Sequence, residues 1–411
     1  MTESTVFKGT KLVVPADSYA FFSDLFDLGN AQTNGRMKAY EIDFLDSNFQ
    51  GSASMFESVH SADQWYGGMA RAALERGIAI QYCLPSATDM LQALALPAVV
   101  QARASNDYVN KIDNPFTLGG ASLLMGAVRI APSKDTLWTA SPQPGTMSDT
   151  EHNGLSYTTQ PHVALDAVLA TLSLGPVGIS DGLAQADAGL ISQAFRSAND
   201  STLLRPSRPL SWVDSFLLNR TFGGGGGGAP ADVRSAHAAV PTSAAAAAPR
   251  HNSHLVLAWK TVADVALGAT DLYPAPTDGA APLAVRAHVL TPGAPQQAGC
   301  ADGLPAVPGC VALVQPGDAV VVPASGADIG DFTLLNVYEP LENGAWFLGE
   351  LSKFVHVSPQ RFDYAGAGGA GPAGVRGSPG EAVVLTAVDG KGVAHVAQVV
   401  IPAGGIIDVE L

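Results

Sequence analysis

Three aspartates stand at the ends of short apolar runs. Asp43 closes Tyr40-Glu-Ile-Asp43, Asp107 follows Val100-Gln-Ala-Arg103-Ala-Ser105-Asn, and Asp181 ends Pro176-Val-Gly-Ile-Ser. Two carboxyl groups facing each other across a pocket can cleave a glycosidic bond. One attacks the anomeric carbon and the other protonates the departing oxygen, the pair lying ~5–5.5 Å apart when configuration is retained. An aspartate after a strand also serves as a helix cap or turn residue, and Asp181-Gly182 is the most turn-like of the three. Around them, Arg103 can hydrogen-bond a sugar hydroxyl or hold a carboxylate in place, and Asp181 can accept from sugar hydroxyls. Trp65, Tyr108 and Trp138 are candidates for stacking on a sugar ring, with a place in the core as the alternative for each. Cys83 ends Ile78-Ala-Ile-Gln-Tyr and reads as a buried strand residue rather than a nucleophile. No His/Cys/Asp cluster has metal-ligand spacing, so neither metal nor cofactor is expected.

Such residues need a rigid frame. From Lys38 to Leu218 strand-like and helix-like segments alternate. The strands are 40–45, 78–83, 98–102, 136–140 and 177–180; the helices are 62–76, 90–96, 118–130, 162–174 and 187–198. Repeated strand–helix units predict a parallel sheet with helical crossovers, and acids at the C-terminal strand ends are where a (β/α)8 barrel holds its chemistry. Five units fall short of the eight a closed barrel needs. The expected fold is therefore α/β: a (β/α)8 (TIM) barrel of glycoside hydrolase type, incomplete at about strands 4–8, followed by an antiparallel β-sandwich. The chain is expected to begin inside a larger barrel or to come from an incomplete gene model.

Three segments are expected. Residues 1–222 form the partial barrel. Residues 223–250, with six consecutive glycines and an alanine run, form a low-complexity linker. Residues 251–411, rich in short β runs separated by Gly, Pro, Asp and Asn, form the β-sandwich. The chain has 411 residues and a net charge of −15, which argues against nucleic acid and anionic membranes as partners. The start has no signal-peptide pattern, which at face value points to the cytoplasm. Cys300 and Cys310 flank a Gly/Pro-rich loop and could pair only in an oxidising compartment.

At the strand-end motifs the chain resembles the raffinose synthase and alkaline α-galactosidase family and, more distantly, the clan of retaining α-galactosidases. Arg103-Ala-Ser105-Asn-Asp107 matches the clan's Arg-x-Ser-x-Asp at the end of barrel strand six. Tyr40-Glu-Ile-Asp43 matches the end of strand four, with Glu41 where the clan places Lys. Gly119-Gly-Ala-Ser-Leu-Leu-Met-Gly126 and Gly175-Pro-Val-Gly-Ile-Ser-Asp181 look like the helix after strand six and strand eight. The likeness covers roughly residues 36–215; strands one to three have no counterpart. It implies Asp43 as nucleophile, Asp107 as acid/base and a carbohydrate substrate, an α-galactoside or related α-glycoside. Transfer to a sugar acceptor, or survival as a non-catalytic carbohydrate-binding or interaction module, are the alternatives.

Overall fold

The computed structural model describes residues 3–7, 10–14, 17–45, 58–105, 114–141, 143, 160, 162–197, 200–214, 232–241, 250–276, 278–288, 311–328, 330–363 and 374–408. Asp107, Tyr108, Cys300 and Cys310 lie outside these residues. The chain packs as two compact units. The first holds Met1–Tyr108, Phe116–Thr136 and Gly175–Gly178; the second holds Val109–Pro115, Leu137–Leu174 and Ile179–Leu411.

In the first unit, strands β1 (Glu3–Phe7) and β2 (Thr10–Val14) form an antiparallel hairpin. Ser18, Phe22 and Phe26 recur every fourth residue and form the buried stripe of helix α1 (Ser18–Gln32), a helix absent from the sequence expectation. Asp17 caps it by accepting from the Ala20 amide. Four strands follow: β3 (Ala39–Ile42), β4 (Ala79–Tyr82), β5 (Val99–Arg103) and β6 (Ala131–Ser133), hydrogen-bonded in that order and all parallel. Parallel neighbours need long crossovers, supplied by helices α2 (Val59–Glu75), α3 (Ala87–Gln92) and α4 (Asn114–Ala127). Alternate strand residues Ile42, Ile80, Tyr82 and Ala102 are buried, and the Tyr82 ring lies 6.0 Å from Tyr66 of α2. The apolar sheet face is therefore the one under α2, and the opposite face carries Glu41, Gln81 and Gln101.

Two predicted strands differ. The fourth lies at 131–133 rather than 136–140, because the amides of Thr139 and Ala140 donate to the Asp181 carboxylate instead of to a ladder. The fifth is reduced to one parallel bridge between Leu137 and Ile179.

In the second unit, helix α5 (Val163–Leu172) buries every side chain from Leu165 to Leu172. Helix α6 (Ala188–Ala194) leads into a hairpin of β7 (Phe195–Ser197) and β8 (Asp200–Leu203). Next come β9 (Arg208–Trp212), β10 (Asp232–Pro241), β11 (Arg250–Trp259), β12 (Val265–Leu267), β13 (Leu283–Ala287), β14 (Val311–Val314), β15 (Val320–Val322) and β16 (Phe332–Tyr338). Six of them build one antiparallel sheet in the order β14-β13-β16-β11-β10-β9, and β12 pairs with β15. Two three-stranded antiparallel sheets complete the unit. One is β17 (Trp346–Gly349), β20 (Ala382–Val388) and β21 (Ala394–Val400); the other is β18 (Phe362–Asp363), β19 (Gly374–Arg376) and β22 (Ile406–Asp408). Tyr338, Val240 and Ala284 of the large sheet share one core with Phe347, Phe362, Val375 and Leu385 of the smaller ones, as in layered sheets.

Strand β10 falls inside the stretch read as linker. It pairs with β11 over its whole length, from Asp232 opposite Trp259 to Pro241 opposite Arg250.

Candidate functional site

Parallel register places the chemistry. Ile42 pairs with Tyr82, Tyr82 with Ala102, and Arg103 with Ser133. One residue further along, Asp43, Cys83, Arg103 and Ser133 form a single row across the C-terminal ends of β3 to β6. Side chains two apart share a face, so this row continues the polar face of Glu41, Gln81 and Gln101.

Contacts knit the row. Arg103 Nη1 donates to Cys83 Sγ at 2.9 Å and lies 3.5 Å from Asp135 Oδ1. The Asp135 amide donates to Ser105 Oγ at 3.1 Å. Cys83 hydrogen-bonds the Asp43 carboxyl. Its thiol is pushed well above its ordinary value, first by burial and then by that bond; the Arg103 charge opposes, and the Asp43 charge and a bond to Glu41 add to the rise. Cys83 and Arg103 are 1% and 7% exposed, whereas Asp43 is exposed.

Backbone conformation at these strand ends is unusual. Phe44 and Leu84, the residues after Asp43 and Cys83, have φ of 54° and 50°. Bulky residues rarely adopt this left-handed region, and such strain clusters where side chains must be aimed. Asp43 Oδ1 accepts from the Phe44 amide at 2.7 Å, which fixes its carboxyl against this turn.

The other candidates sit elsewhere. Trp65 lies on α2 and packs edge-on to Phe22 of α1 at 6.2 Å, in a helix–helix contact. Trp138 and Asp181 belong to the second unit. Trp138 is 7% exposed. The Asp181 carboxylate accepts from the Thr139 amide at 2.9 and 3.1 Å, the Thr139 hydroxyl at 2.7 Å, the Ala140 amide at 3.2 Å and Gln143 Nε2 at 2.6 Å. Those bonds make it a staple between its own turn and the 139–143 stretch. Asp107 and Tyr108, beyond the described residues, receive no placement. Among the described residues no group of three His, Cys, Asp or Glu side chains is arranged to hold a metal ion, and no helix is long and apolar enough to cross a membrane.

Sequence reasoning missed Cys83 and Asp135 as members of this cluster. For Cys83 the one signal was its place at the end of an apolar run, which reads as a buried strand residue. For Asp135 there was none, because its strand was placed five residues too late.

No family model matches the chain, and no curated protein matches it. Solved structures do. A GH27 β-L-arabinopyranosidase from Geobacillus stearothermophilus superposes with a TM-score of 0.51 at 13% identity, over 84% of this chain and 68% of that one. A variant of the same enzyme in complex with arabinose gives 0.48 at 11% identity, over 79% of this chain and 62% of that one. The chain thus spans about two thirds of the length of these neighbours, and it shares the fold of the first of them.

Proposed function

We propose that this chain carries the catalytic face of a retaining glycoside hydrolase acting on α-galactosides or related α-glycosides. Asp43 is the nucleophile and Asp107 the acid/base, in a two-step double displacement. What supports this most is the row of Asp43, Cys83 and Arg103 at the C-terminal ends of three consecutive parallel strands, the location where barrels keep their chemistry. Likeness of fold to GH27, a family in the same clan as the α-galactosidases, agrees with it.

In the first step Asp43 attacks the anomeric carbon while Asp107 gives its proton to the departing oxygen. In the second, water is deprotonated by Asp107 and releases the sugar from Asp43. An acceptor alcohol in place of water turns the same intermediate to transfer. Arg103 holds the strand end that leads to Asp107 and is the candidate contact for a sugar hydroxyl.

The test is hydrolysis of aryl α-galactoside, α-glucoside and β-L-arabinopyranoside, the last matching α-galactose apart from its missing hydroxymethyl group. Turnover by the wild type that is lost in both Asp43→Asn and Asp107→Asn supports the mechanism. Turnover that survives Asp43→Asn sinks it.

A further inference from the structure

We infer that Asp135, Arg103 and Cys83 form one side-chain chain across the ends of β6, β5 and β4 that positions the Asp43 carboxylate, an inference that rests on the glycosidase reading above. The links are Asp135 Oδ1 to Arg103 Nη1 at 3.5 Å, Arg103 Nη1 to Cys83 Sγ at 2.9 Å, and Cys83 to the Asp43 carboxyl. Each comes from a different strand end, so the chain runs along the row set by register.

Its polarity follows from donor inventory. A guanidinium only donates, and an ionised carboxylate only accepts. The thiol between them therefore accepts from Arg103 and directs its one S–H toward the carboxyls of Asp43 and Glu41, Asp43 being the stronger partner. Burial keeps that thiol protonated, as the arrangement requires. Low exposure of Arg103 and Cys83 strengthens each link, because water does not compete for the donors. Asp135 is anchored independently by its amide on Ser105 Oγ, at 3.1 Å. It thus fixes the guanidinium from one side and the strand end at Ser105 from the other.

Cys83 and Asp135 are positioning residues: they act through Arg103 and Asp43 and need not touch the sugar. Deepening the site in this way also bears on Glu41. Its carboxyl shares the Cys83 S–H with Asp43.

A double-mutant cycle tests this, read as the single-turnover rate constant on an aryl α-galactoside at saturating enzyme. At saturation that rate constant does not depend on the amount of enzyme, so partial loss of folded protein leaves it alone while folded enzyme stays in saturating excess. Expected are ~10-fold or larger falls in the rate constant for Cys83→Ala and for Asp135→Asn, with the double variant no slower than the slower single. Cys83→Ser, which keeps a hydroxyl donor and acceptor, recovers most of the rate. If Cys83→Ala does not fold, Cys83→Val removes the donor at similar bulk and carries the same test. Multiplicative effects in the double variant, or wild-type rates in the singles, overturn the chain while leaving the glycosidase reading in place. No turnover by the wild type overturns that reading and this inference with it.

Discussion

The ammonium of Lys353 donates to the carbonyl of Ser192 at 2.8 Å, in the last turn of α6. It donates equally to Phe195 O at 2.8 Å and sits 3.6 Å from Glu350. Arg361, with a buried guanidinium, bonds Glu350 Oε2 at 2.9 Å and reaches the Arg196 carbonyl. A helix from the alternating half of the sequence is thereby fastened into the antiparallel unit. Lys353→Met leaves those carbonyls without their donor and Glu350 with Arg361 as its cation, and unmade buried hydrogen bonds of this kind cost ~1–3 kcal/mol. Urea unfolding should show it, and an unchanged midpoint would refute it.

A fragment of residues 251–411, the sandwich as the composition delimits it, should not fold cooperatively. It lacks β9 and β10 and so strips β11 of its ten-residue partner. It also lacks the 188–205 segment, whose Arg205 amide bonds Gln360 Oε1 at 3.0 Å and whose Arg205 carbonyl accepts from Ser358 Oγ at 3.0 Å. An exposed central strand of this kind promotes aggregation. Circular dichroism across a urea series gives a broad transition if this holds, and a sharp one if the fragment is autonomous.

Gly175→Ala should destabilise the first unit strongly. A β-carbon there would stand 1.2 Å from the Pro132 carbonyl oxygen and 2.2 Å from its carbon, backbone atoms of β6 that cannot swing aside. Overpacking of this severity lies at or above the ~3 kcal/mol end of its usual range. Since β6 leads to Asp135, turnover should fall together with the melting temperature. A melting temperature within a degree of wild type would contradict the close approach.

Acid should weaken the second unit through its buried histidines. His288 Nε2 donates to Gln193 Oε1 at 2.8 Å, which leaves His288 Nδ1 to accept from His356 Nε2 at 3.2 Å, and His356 Nδ1 to accept from the Tyr338 hydroxyl. Both rings must be neutral for this order. Burial, and next the Arg286 charge, lower His288 to about 3; burial lowers His237 and His251 to about 4. Between ~6.5, where an unfolded histidine takes its proton, and these lower values the unfolded chain binds more protons. Stability is therefore full above pH ~6.5 and falls as the pH drops through that window, by ~1.4 kcal/mol per histidine for each pH unit. Unfolding free energies at pH 7 and pH 5 should differ in that direction, less so in His288→Gln. Equal values would remove the histidines from the account.

Much of the first unit's frame was legible because it rests on local pattern. The runs around Tyr40, Ile80 and Val99 are strands, and the helices between them begin and end within a few residues of their expected places. Strand β10 was not, since Asp232-Val-Arg-Ser-Ala-His-Ala-Ala-Val-Pro has few β-branched residues and looks like its Ala- and Gly-rich flanks. Its side chains from Asp232 to Val240 are all buried, so tertiary packing rather than propensity makes it a strand. Within the site, Asp43 and Arg103 were visible as residue types at strand ends. Cys83 and Asp135 emerge only from register, which depends on how crossovers set neighbouring strands side by side.

Phe44 and Leu84 make the backbone itself part of the aim of Asp43 and Cys83. Replacing either by glycine removes the steric penalty of a positive φ, so the protein should gain stability while the Asp43 carboxyl and the Cys83 thiol gain freedom to wander. Durability and reactivity are thus set against each other at two single residues, and selection for one there runs at the expense of the other.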